Sequence, residues 1–256
     1  MVGKSPDISH ILAGWEYKPD EVNVRSVPGD DGKDKIQMRL DLGLLQMEVE
    51  GRPDGKRPHG FESLLDYHID ALQRYKERHG ADKDFRLTDE EANKLRQEAL
   101  QYYHRYLSFF FLENWVGLVR DTARNMRVFD ILWQYGPEDE RWSSEQYRPY
   151  VIMMNTRGKV SLALQERDFD LALKQLQGGI AAIESFFEKH GRPELTAESQ
   201  ELQFLREWLE KVRERRPLTA RERLQRALEN AVKEEAYERA AQIRDAIKAM
   251  DEKETK

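Results

Sequence analysis

Between Gly51 and Gly60 runs GRPDGKRPHG, where Arg52, Lys56, Arg57 and His59 crowd among glycines and prolines. Cationic side chains on such irregular backbone suit an anion or a partner contact; the same residues also make an ordinary structured turn. A nucleotide-type phosphate loop needs four residues between its glycines and a Ser or Thr after the lysine, to reach magnesium. Here three residues separate Gly51 from Gly55, and Arg57 follows Lys56, so that mechanism does not fit.

The remaining chemistry-bearing residues are dispersed. His68, His79, His104 and His190 show neither the paired-histidine helix spacing nor any metal-ligand spacing, and read as surface or packing residues. Asp89 with Glu90, and Asp139 with Glu140, fall at helix starts or in loops, where the helix dipole accounts for them. No serine sits in a nucleophile elbow. Cysteine is absent, which removes thiol nucleophiles, disulfides and thiolate metal sites and suits a reducing compartment. The expectation is a protein with no catalytic residues, metal or cofactor; an enzyme clamping its substrate with the 51–60 loop is the least favoured alternative.

Charge narrows the partners. The chain carries 42 Lys and Arg against 48 Asp and Glu, a net charge of -6, so it lacks the overall positive field of a general nucleic-acid binder. One local stretch, EKVRERRPLTARERLQR, gathers Lys211, Arg213, Arg215, Arg216, Arg221, Arg223 and Arg226, interleaved with Glu214 and Glu222. That mixed patch keeps open a DNA-repair accessory role. No apolar run reaches membrane-spanning length and the first ten residues hold no apolar secretion segment, so a cytoplasmic protein with no membrane partner is expected.

The positioning elements follow from periodicity. With 256 residues and 39% hydrophobic content, the chain can bury a core in one or two domains. The alternation in EVNVRSV, the reversal PGDDGKDK and the run IQMRLDLGLLQMEVE predict a β-hairpin, with Ile36, Met38, Leu40 and Leu42 on one face. Gly43 breaks that alternation and reads as a bulge or bend inside one long strand. From Phe61 onward helical spacing dominates. Gly80 closes a first helix, Thr88 with Glu91 forms a capping box for the next, and that one continues either as a single long helix or as a pair broken near Asn114. The rings from Tyr102 to Trp133 are too many for one face and predict a surrounded core helix or pair. Ser143 with Gln146 reads as another helix start, and a helix pair is expected to turn at Arg167 to Phe169. A last body helix is expected from Thr196, with Leu202, Leu205, Trp208, Leu209 and Val212 buried. Pro217 stops it, and Thr219 with Glu222 begins the next. The fold class is mainly α (α+β): a sheet region at 1–60, a helical bundle at 61–216 and a helical hairpin at 217–256.

Two resemblances refine this. RDFDLAL with Ala172, Gly178 and Gly179 resembles one tetratricopeptide-type helix pair, where small residues let helices approach closely; a true array needs about three. In the last segment, Leu224 and Leu228 followed by Tyr237, Glu238, Ala240, Ala241, Ile243, Arg244, Asp245 and Ile247 resemble the UVR motif of UvrB, UvrC and bacterial stress-response proteins, with Glu235 where leucine is common and Tyr237 where phenylalanine is common. The resemblance implies a small helical hairpin that docks a protein partner or a second copy, coiled-coil fashion, through Leu224, Leu228, Tyr237, Ala240, Ala241, Ile243, Arg244, Asp245 and Ile247. Periodicity alone gives two stripes for such a hairpin, Leu224, Leu228 and Val232 on one helix and Tyr237 to Met250 on the other. The leading expectation is therefore a non-catalytic adaptor.

Overall fold

The structure, a computed structural model, describes residues 7–218 and 220–254. Its strands are β1 (Val24–Pro28), β2 (Asp34–Leu40) and β3 (Gly43–Glu48). Its α-helices are α1 (Ser9–Leu12), α2 (Leu64–His79), α3 (Asp89–Phe111), α4 (Trp115–Tyr135), α5 (Glu138–Glu145), α6 (Arg148–Gln165), α7 (Phe169–Lys189), α8 (Gln200–Arg215), α9 (Ala220–Lys233) and α10 (Tyr237–Glu254). The chain divides between Leu209 and Glu210 into two compact units, a body and a C-terminal unit.

The N-terminal sheet is antiparallel in the order β1-β2-β3, one strand more than the expected hairpin. Gly43 is neither a bulge nor a bend within one strand, since β2 ends at Leu40 and β3 begins at Gly43. It pairs with Leu40 across a two-residue turn of Asp41 and Leu42, which reverses the chain inside what alternation alone reads as one strand. Cross-strand pairing of Ile36 with Met47 then gathers Ile36, Met38 and Met47 into a buried face, and β1 and β2 lie against α3. Leu42, placed on the core face by alternation, is 92% exposed at the turn. The opposite face is a polar ladder in which Arg25 donates to Gln37 and Gln37 donates to Gln46. Trp15 covers Arg25, whose guanidinium carbon lies 3.9 Å from the indole centroid.

In the body α4 packs on both α3 and α6, and α6 packs on α7. The capping box of Thr88 and Glu91 starts α3, and Gly80 ends α2 with φ 73°. The break before α4 comes at Asn114, whose side chain accepts from Gly117 N. Of the expected aromatic core, Tyr102, Tyr106, Phe109 and Phe129 are buried, whereas Phe111 is exposed. Ser143 does not open a helix. α5 already begins at Glu138, after Pro137 and with three acids in its first turn, and Ser143 lies inside it, donating to Glu140 O at 2.7 Å. α8 starts at Gln200 rather than Thr196, with Ser199 Oγ accepting from Leu202 N. Of its expected stripe, Leu202, Leu205, Leu209 and Val212 are buried and Trp208 is half-buried.

The body also buries charge. Asp121 takes two bonds from Arg105, at 2.6 and 3.0 Å, and both side chains are 1% exposed. Arg105 donates its remaining amine to the carbonyls of Glu48 and Gly51, so the pair fastens the end of β3 and the following loop to α3 and α4. Fully buried Glu98 accepts from the backbone of Leu64 and Leu65 at the start of α2 and pairs with Arg124 and Arg52. Among the described residues no helix is long and apolar enough to cross a membrane.

Candidate functional site

The 51–60 loop separates the four residues that its sequence puts together. Arg52 turns inward, 3.1 Å from buried Glu98, and leaves the loop surface. Lys56 and Arg57 stay exposed, and His59, at φ 52°, stacks on Tyr67 with centroids 4.3 Å apart. Gly51, Gly55 and Gly60 all take positive φ, which glycine adopts without a Cβ penalty. The convergent cation cluster is thus reduced to Lys56 and Arg57.

The C-terminal unit holds the other candidates. α9 and α10 pack on each other as a hairpin. They turn through a tight corner in which Glu235 N bonds Val232 O at 3.1 Å and Ala236 N bonds Ala231 O at 2.8 Å. This is the paired-carbonyl cap that normally ends in glycine, and Glu235 fills the left-handed position at φ 57°. The departure from leucine at Glu235 is therefore a corner residue.

Ala231, Ala240 and Ile247 are buried; Leu224, Leu228, Ala241, Ile243 and Met250 are half-buried. Val232, placed on the apolar stripe by its spacing, is 52% exposed, because the corner brings Ala231 inward instead. Tyr237 stands at the start of α10 and is 68% exposed. Arg244 and Asp245 lie on the open surface and bond each other through Asp245 Oδ1, at 3.0 and 2.8 Å. Thr219, the expected cap of α9, lies outside the described residues. The nine docking candidates accordingly split into a packing set, Leu224, Leu228, Ala240, Ala241, Ile243 and Ile247, and an outward set, Tyr237, Arg244 and Asp245.

Carboxylates of the chain itself meet arginines of the basic stretch. Arg213 pairs with Glu210 at 2.6 Å, and Arg216 with Glu222 at 2.7 Å. A feature of the body went unread in the sequence. A cleft of about 340 Å³ is lined by Trp142, Phe186, His190 and Glu201, drawn from α5, the end of α7 and the start of α8. Residues so far apart in the chain carry no common spacing.

No curated protein and no solved structure matches this chain. No family matches its body, while residues 221–253, the two helices of the hairpin, match the UvrB/uvrC motif, so the hairpin is a UVR motif.

Proposed function

We propose that this protein is an interaction protein whose C-terminal hairpin docks a partner protein. What supports the reading is the coincidence of the UVR match with a hairpin that keeps Val232 and Tyr237 more than half exposed and Leu224, Leu228 and Ile243 half-covered. Two helices of this length bury few residues between them, so apolar side chains on their surface gain by meeting another surface. Full-length protein and a Val232→Ser/Tyr237→Ala variant, used as bait in the same extract, test this. The reading expects loss of the principal partner with the helical content unchanged; an identical set of partners sinks it. Sedimentation across a concentration series distinguishes a second copy of the chain from a different partner.

A protein partner is favoured over nucleic acid because Arg213 and Arg216 are matched by carboxylates of the chain itself. DNA affinity that falls steeply with salt and is lost on Arg215→Ala/Arg216→Ala would reverse that preference.

A further inference from the structure

The cleft at the α5–α7–α8 side of the body is built as a receptor for positive charge. One of its lining residues is a histidine held by a carboxylate and three rings. His190 Nε2 lies 3.3 Å from Glu145 Oε1, and Glu145 is 1% exposed with both oxygens held by Arg148 at 2.8 Å. The imidazole is boxed by Trp133 at 4.9 Å, Trp142 at 5.3 Å and Phe186 at 4.6 Å, centroid to centroid. A carboxylate accepts, so it is the ring's Nε2–H that donates in the contact with Glu145.

The charged groups lining the cleft favour a cation. Glu198 and Glu201 bring two carboxylates to its rim. The cationic side chain of the lining, Arg192, is turned to Glu194 at 3.2 Å. Gln146 gives one amide N–H to Ser143 O, which leaves it one donor and its carbonyl oxygen and no net preference for either sign. Ser199 gives its hydroxyl to Glu201 at 2.8 Å, so the lining sets two carboxylates against the single guanidinium of Arg192. Trp142, a residue 44% exposed, adds an indole ring that lies within 19° of parallel to Phe186.

We propose that this cleft binds the side chain of an arginine on a partner peptide segment, independently of the hairpin. An aromatic face beside carboxylates is the environment that holds a cation with its apolar stem buried. Arginine fits better than lysine. Its guanidinium is planar and weakly hydrated, stacks on an indole, and offers five donors to acceptors that approach from several sides. The volume is at the small end for ligand pockets and suits one side chain with its flanking backbone.

The test uses the full chain and three capped tripeptides with arginine, citrulline or lysine at the centre, followed by tryptophan fluorescence and calorimetry. The arginine peptide should give saturable binding, and the citrulline peptide, the same shape without charge, should bind about tenfold more weakly or not at all. Glu198→Gln/Glu201→Gln, both on the rim, should weaken arginine binding several-fold and flatten its salt dependence. Trp142→Leu should abolish it while the thermal unfolding midpoint holds. Equal binding of citrulline, binding that survives Trp142→Leu, or no saturable response from folded protein overturns the proposal. A lysine peptide that binds as well as arginine overturns the guanidinium assignment.

Discussion

Two helix pairs in this protein turn the same kind of corner and use their side chains in opposite ways. In α6–α7 the corner residue Arg167 sits at φ 57°, with Asp168 N bonded to Ala163 O at 2.8 Å; in α9–α10 Glu235 repeats that geometry. Beyond the corner the pairs diverge. α6–α7 buries Met154, Val160, Ala172, Leu176 and Ile183 and packs through α6 on α4. α9–α10 buries Ala231, Ala240 and Ile247 and leaves larger apolar groups at its surface. A shared backbone solution thus says little about role. What distinguishes scaffold from docking element is where the apolar area ends up, inside the pair or facing outward.

Charge sharpens the contrast, and the largest effect expected of any single change lies there. Asp121→Ala leaves Arg105 buried without its partner and should cost about 3–5 kcal/mol of body stability. Asp245→Ala removes the partner of an open-surface arginine and should cost less than about 1 kcal/mol. Urea unfolding of both variants checks this. All five tryptophans lie before Leu209, so their fluorescence reports the body, and circular dichroism is needed for the hairpin. Comparable losses would remove the distinction between the two regions.

Small residues supply a second test, of opposite sign at adjacent positions. A Cβ on Gly179 would collide with Thr156 of α6, whereas one on Gly178 would meet nothing within 4 Å. Gly179→Ala should cost about 1–3 kcal/mol by forcing α6 and α7 apart. Gly178→Ala should gain up to about 1 kcal/mol through helix propensity. The tetratricopeptide-like spacing grouped both glycines with Ala172 as close-approach residues, and Gly178 does not belong there.

That miss shows what a sequence displays and what it hides. Helical periodicity and caps located α2, the α3–α4 stretch and the α6–α7 pair, because the signals at Gly80 and Thr88 are local, while the break at Asn114 was one of two readings. The UVR hairpin was legible for a similar reason, as its pattern is continuous over about thirty residues. β3 was hidden because Asp41 and Leu42 lack the usual glycine or asparagine of a tight turn, and an exposed leucine continues the alternation. The start of α5 was hidden because Ser143 imitates a cap, while the real start is Pro137 followed by acids. Buried ions were hidden most thoroughly. Arg105 and Asp121 look like any solvated pair until a 16-residue separation is folded across two helices. His190 of the cleft and the buried Glu145 that it contacts, 45 positions apart, are illegible for the same reason.

Acid should separate the two regions as well. Burial, chiefly, holds the pKa of His68 below its ordinary 6.5, with His59 adding to the shift and Glu91 opposing it. As pH falls, the unfolded chain therefore takes up this proton before the folded one, and stability is lost below about 6.5 with a slope of at most about 1.4 kcal/mol per pH unit. Body unfolding followed by tryptophan should weaken from pH 7 to pH 5.5, and His68→Gln should flatten that dependence. His104, also shifted down by burial, adds a second contribution of the same sign. The hairpin has no histidine, so its own unfolding should not follow this slope.

The smallest effect tests the corner itself. A side chain in the left-handed conformation brings Cβ close to the carbonyl oxygen, at a cost of about 1–2 kcal/mol that glycine avoids. Glu235→Gly should relieve that cost in the folded hairpin while adding freedom to the unfolded chain, leaving a net gain of about 0.5–1 kcal/mol. Arg167→Gly should do the same in α6–α7, where the geometry matches. If the corner is only a turn, the two gains should agree and partner capture by the hairpin should be unchanged. If Glu235 also touches the partner, capture should fall although the hairpin is more stable, and the corner would join Tyr237 as part of the docking surface.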